Sequence, residues 1–101
     1  METKVEVVGL NMWQVFEHKK AAKVIDKAPK QVQEKYDFWK QTMERDGPDG
    51  VKYFSGFRDH ALKGEWKGYR SSYLNDQYRV IYELDKKRIM VFVEHIGPHD
   101  Y

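Results

Sequence analysis

The stretch DHALKGEWKGYRSSYLNDQYRVIYEL, residues 59–84, decides how this chain is read. Two runs rich in aromatic and β-branched residues flank Asn75-Asp76, a two-residue turn signal, so the pattern predicts a β-hairpin. A hairpin alone needs neither the arginines at 70 and 79, nor the tyrosines around them, nor Lys63 and Lys67 just upstream. With Asn75 and Asp76 as the turn, Ser72 is expected opposite Arg79 and Arg70 opposite Ile81. Side chains alternate along a strand and match across a pair. One face then carries Arg70, Ser72, Gln77, Arg79 and Ile81, and the other Tyr69, Tyr78, Val80, Tyr82 and Leu84. The second set suits helices packed against it. The first is an open face with two guanidinium groups close together, which is unfavourable unless an anion sits between them. For Arg79 a simpler account is a cross-strand ion pair with Glu94, available if the next turn spans residues 85–88.

Working outward, three strands are expected over residues 66–74, 77–84 and 88–96. The run IMVFV is apolar throughout, as in a strand central to a sheet. Upstream, residues 12–16 (MWQVF) read as a strand, and KVEVV at 4–8 as a weaker one. From His18 the period changes: Ala21, Val24, Ile25 and Ala28 recur at helical spacing. Pro29 breaks this helix and suits the start of another, in which Val32, Tyr36, Trp39 and Met43 share one face. That aromatic stripe is read as core. RDGPDG at 45–50 is expected to end the second helix, giving a helical hairpin over 18–46. Residues 47–64 look irregular. The expected architecture is α+β: two N-terminal helices on one face of a small, mainly antiparallel sheet, ending in a three-strand meander. Val32, Tyr36, Trp39, Val80, Tyr82, Val91 and Val93 are its expected core.

Composition fits one domain over residues 1–101. Hydrophobic residues make up 41% of the chain, enough for a core, and no segment approaches the ~20 apolar residues of a membrane span. Cysteine is absent, which removes disulfides and thiolate metal sites and suits a reducing compartment, the cytoplasm. No signal peptide is evident: VEVVGL is interrupted by Glu6. The net charge of +2 is too small to argue for nucleic acid by itself. Its distribution says more. Four of the five arginines (Arg58, Arg70, Arg79, Arg88) lie in the second half, and the guanidinium fork suits phosphate.

Histidines 60, 95 and 99 also lie in the second half. His95 and His99 are separated by Gly97-Pro98, which cannot be helical, so a helical H-x3-H zinc pair is not formed and no metal is expected. Histidine titrates near neutrality, and His99, followed by Asp100 and Tyr101, is a candidate acid or base.

Taken together, Asp59-His60-Ala61-Leu62-Lys63-Gly64-Glu65-Trp66-Lys67-Gly68-Tyr69-Arg70, then Ile81-Tyr82, then Gly97-Pro98-His99, resemble the RelE superfamily of bacterial type II toxins, in particular its YafQ-like branch. The resemblance covers about the last 45 residues and matches the expected order of elements. It implies a ribosome-dependent endoribonuclease that cuts mRNA in the A site, needs no cofactor, and is held inactive by a cognate antitoxin. It places His60 and His99 on active-site histidines of that branch, Arg79 on the arginine of the RelE pattern, and Arg70 where RelE-like members carry a functional lysine. The chain departs from the branch at Ser71 and Tyr73, where an aspartate and a histidine are usual, and at Gln77-Tyr78, where Asp-Trp is.

Metal-free RNA cleavage uses the 2′-hydroxyl as nucleophile and needs a base, an acid for the departing 5′-oxygen, and cations around the phosphorane. In such a site Arg70 and Arg79 would be the cations and His99, then His60, the proton carriers. Tyr101, Tyr73 or Tyr78 would stack on a base or position the 2′-hydroxyl. Lys63, Lys67 and the lysines at 19, 20, 23 and 27 would meet ribosomal RNA. Two other readings share this fold: a ParE-like toxin that binds gyrase, and a non-catalytic binding module.

Overall fold

The computed structural model describes residues 12–98. Along the chain come β1 (Gln14–Glu17), α1 (Lys19–Asp26), α2 (Lys30–Tyr53), a 3-10 turn (Ser55–Phe57), β2 (His60–Ala61), a second 3-10 turn (Gly64–Trp66), β3 (Arg70–Tyr73), β4 (Arg79–Asp85) and β5 (Met90–Gly97). The five strands form one sheet in the order β1-β5-β4-β3-β2. β1 runs parallel to β5, and every other neighbouring pair is antiparallel.

The helices form for local reasons. His18 caps α1 by accepting the Lys20 N–H at Nδ1, and Ala21 and Ile25 face inward. The Gln33 side-chain amide donates to the carbonyls of Ile25 and Asp26, tying the end of α1 to the start of α2. RDGPDG kinks the second helix rather than ending it. Gly47 takes φ 73°, ψ −167°, and the helix resumes through Pro48 to Tyr53. Proline is tolerated there because the first residues of a new helical turn need no N–H partner. Glycine is needed because a Cβ at position 47 would lie 2.6 Å from Nε1 of Trp13. The first strand likewise lies at 14–17 rather than 12–16, and the expected strand at 4–8 falls outside the described residues.

The core lies between the helices and one face of the sheet. All seven residues expected there are buried, joined by Met43, Val51, Phe57 and Ile96. Trp39 is the centre: Tyr36 stacks on it at 5.8 Å between ring centres and Tyr82 meets it edge-on at 5.2 Å.

The register of the hairpin differs from the expectation by one residue. Asn75 Oδ1 accepts the N–H groups of Gln77 and Tyr78, and the Leu74 N–H donates to the Tyr78 carbonyl. This Asx turn lengthens the connection to five residues, 74–78, so Tyr73, not Ser72, lies opposite Arg79, and Arg70 lies opposite Tyr82. The one-residue slip exchanges the faces of β3 and leaves those of β4 as expected. Arg70, Ser72, Val80 and Tyr82 point toward the helices, while Ser71, Tyr73, Arg79 and Ile81 point away. The two arginines are therefore on opposite faces. The β4–β5 turn occupies residues 86–89, and a β-bulge separates the pairs Ile81–His95 and Tyr82–Val93, leaving Glu94 as the extra residue. Gly97, not Glu94, thus stands opposite Arg79. Among the described residues no helix is long and apolar enough to cross a membrane.

Burial, then the Glu17 carboxylate that accepts its O–H, pushes the Tyr36 phenol far above its usual range, and burial and Asp59 do the same to Tyr82. Unfolded tyrosines release their protons near pH 10 while these two keep theirs. The stability they contribute is complete below pH 10 and is lost as the pH rises above it. Thermal melts should show a steep fall in Tm above pH 10, with about two protons released on unfolding. Tyr36→Phe and Tyr82→Phe should each remove about one of them, or roughly 1.4 kcal/mol per pH unit.

Candidate active site on the open face of the sheet

The helix-facing side holds a buried polar cluster. The Asp59 carboxylate is fully enclosed (0% exposed) and pairs with Arg70 Nη2 at 2.6 Å. It also accepts from Ser72 Oγ at 2.6 Å and from the Tyr82 hydroxyl, while Ser72 Oγ accepts the Trp39 indole N–H at 2.9 Å. Burial opposes the Arg70 charge, but the hydrogen bond and charge of Asp59 outweigh it and hold its pKa above the usual arginine value. Arg70 therefore anchors the fold from the side of the sheet away from Arg79.

The opposite face collects the other groups. His60 pairs with Ser71, Ser71 with Ile81, and Ile81 with His95, so these four side chains form a row across β2, β3, β4 and β5. Beside it a second row runs from Tyr73 to Arg79 to Gly97. His60 is exposed, and its Nδ1 lies 2.8 Å from the Arg58 carbonyl. A carbonyl only accepts, so Nδ1 is the donor in this contact. Arg79 is only 9% exposed. Its guanidinium carbon lies 4.2 Å from the centre of the Tyr73 ring, and Nη2 donates to the Tyr73 hydroxyl.

The connection from β2 to β3 folds over this face. Trp66 lies 6.4 Å from His95 and 5.2 Å from Tyr69, ring centre to ring centre, and the flanking Lys63 and Lys67 are exposed. Glu83, then burial and Glu94, raise the Tyr69 pKa. Gly97 makes room for His95: a Cβ there would come within 3.1 Å of His95 Nε2.

Of the residues expected from the sequence, His60, Arg79 and Tyr73 are brought together, with Lys63 and Lys67 at the margin. Arg70 lies on the other side. Tyr78 packs against the main core instead of joining this face. His99 and Tyr101 lie outside the described residues; Gly97, opposite Arg79, is two residues before His99. Two residues given no site role from the sequence join the face. Arg58 was hidden in a segment read as irregular, and its guanidinium carbon stands 5.1 Å from the Tyr73 ring centre. His95 was hidden by the bulge, without which strand alternation would turn it into the core.

Three comparisons bear on this arrangement. Residues 14–101 match the family model described as the bacterial toxin of type II toxin-antitoxin systems, YafQ. Over 43 residues the chain is 37% identical to the mRNA interferase toxin YafQ of Escherichia coli (strain K12), a match spanning 43% of this chain and 45% of that relative. Among solved structures, the archaeal RelE–RelB complex from Pyrococcus horikoshii OT3 superposes with a TM-score of 0.70 at 23% identity, covering 88% of this chain and 97% of that one. YafQ from E. coli strain BL21(DE3) gives 0.69 at 20% identity, over 86% and 93%.

Removing Arg70 leaves a buried carboxylate without its countercharge, and breaking a buried pair in this way costs about 3 kcal/mol. Arg70→Ala should lower the urea midpoint accordingly with little change in m. Arg79→Ala, on the other face, should cost less, chiefly its packing on Tyr73. Equal losses in the two variants would contradict the assignment of Arg70 as the anchor.

Proposed function

The chain belongs to the YafQ family of bacterial type II toxin-antitoxin toxins, and from that membership we propose that it is a cytoplasmic, ribosome-dependent endoribonuclease that cleaves mRNA in the A site and is neutralised by a cognate antitoxin. The observation that carries this reading is the open face itself: it holds both a histidine whose Nδ1 is tied to a carbonyl and a guanidinium stacked on an aromatic ring. Similarity to an mRNA interferase over 43 residues agrees with it.

In this mechanism the 2′-oxygen attacks the adjacent phosphorus, the bond to the 5′-oxygen breaks, and the products end in a 2′,3′-cyclic phosphate and a 5′-hydroxyl. One of His60 and His99 takes the proton from the 2′-hydroxyl and the other supplies one to the departing 5′-oxygen. Arg79 bears on the phosphorane charge. Tyr73 and Tyr101 stack on or position the nucleotide. Lys63, Lys67 and the lysines of α1 contact ribosomal RNA, whose grip on the message supplies the alignment that so sparse a set of groups does not. Arg70 acts only by holding Asp59.

Ribosomes programmed with a defined mRNA should be cut by the purified protein, with the 5′ ends mapped by primer extension. His60→Gln and His99→Ala should each slow cleavage by ~10²–10⁴-fold while ribosome binding persists. Intact message together with inhibited gyrase supercoiling would replace this reading with the ParE-like one.

A further inference from the structure

We propose that Arg58 is a second phosphate-binding guanidinium of the site, which grips the substrate phosphate together with Arg79 around the ring of Tyr73. This deepens the ribonuclease reading and rests on it. Three observations converge on Arg58. Its backbone is left-handed, with φ 46° and ψ 44°, at the end of the 3-10 turn. A side-chain-bearing residue is held in that region only where its surroundings determine it. Here they do: its N–H donates to the Ser55 carbonyl, its own carbonyl accepts from His60 Nδ1, and the next residue, Asp59, is locked in the buried cluster.

The side chain is aimed. Its guanidinium stands over the Tyr73 ring, which Arg79 already touches, so one aromatic ring gathers two cations. An aromatic face attracts a cation and so offsets part of the repulsion between the two charges. The charge is also unspent. Arg45, Arg70 and Arg88 each contact a carboxylate, while Arg58 makes no ion pair among the described residues.

A phosphodiester entering between Arg58 and Arg79 would meet two forks of N–H donors. Both would strengthen as the phosphorane gains its second negative charge. The same three residues then serve three ends: Arg58 binds the phosphate, Asp59 anchors the segment, and His60 moves the proton.

The test uses the full chain, programmed ribosomes and two variants. Arg58→Gly relieves the left-handed backbone, so it should fold at least as well as the wild type, and it keeps the carbonyl that orients His60. Its single-turnover cleavage rate should nonetheless fall by ~10²-fold, as expected on losing one transition-state donor group. The pH profile should keep its shape, and Arg58→Lys should recover part of the rate. Binding of an RNA oligonucleotide with a 2′-deoxy scissile residue should lose about 0.7 from its salt slope in Arg58→Gly, the value for one phosphate contact to a single strand. Cleavage by Arg58→Gly within twofold of the wild type would overturn the proposal. If the wild type itself leaves mRNA intact, the ribonuclease reading has failed and the salt slope decides: an unchanged slope overturns the clamp.

Discussion

The rest of the structure hangs on one enclosed carboxylate. The Asp59 side chain has no access to water, and an ionised group in that position is tolerated only with countercharge and hydrogen bonds. Its partners come from different parts of the chain: Arg70 and Ser72 from β3, Tyr82 from β4, and, through Ser72, Trp39 from α2. Satisfying Asp59 therefore fixes the face β3 presents to the helix and the position of the segment leading into β2. The neighbours of Asp59 inherit that placement, and they are the residues on the functional face.

The two faces of β3 and β4 divide the work. Toward the helices the strands supply Ser72, Val80 and Tyr82, all buried, and the ordered ring packing around Trp39. Away from them they supply Tyr73 and Arg79. Ile81 is also fully buried, although it points away from the main core. The open face is thus not bare. The loop carrying Trp66 and the His95 ring roof part of it, which leaves a partly sheltered surface where charges act more strongly than in bulk water.

Much of this was legible from spacing. The apolar period of α2, the meander and the buried set follow from patterns that packing enforces. The errors came from turn chemistry. Asn75-Asp76 looks like a two-residue turn, but the Asn75 side chain caps two N–H groups and draws Tyr78 into the loop. That single extra step moved Arg70 to the core side and Tyr73 to the open side. The bulge at Glu94 escaped detection because it arises from how two strands fit, not from any residue type. The kink at Gly47 was seen as a stop because Gly-Pro punctuates in both cases. Of the candidate site, the resemblance pointed to His60 and Arg79, and alternation placed Arg79 on the open face but wrongly set Arg70 beside it. Arg58 had no signal beyond its membership of the arginine-rich second half and its place directly before Asp59-His60.

The parallel pairing of β1 with β5 sets an order in time. Among the described residues, 14–17 pair in the sheet only with residues 90–93. Long-range pairings of this kind are slow to form because the chain between must first be brought together. As the polypeptide is synthesised, β1 and both helices emerge before the sheet face they pack on, and the sheet closes only when β5 arrives. Arg79 gains its neighbour Gly97 in the same event. A growing chain of this protein therefore lacks the assembled face until translation of its own message has passed that strand.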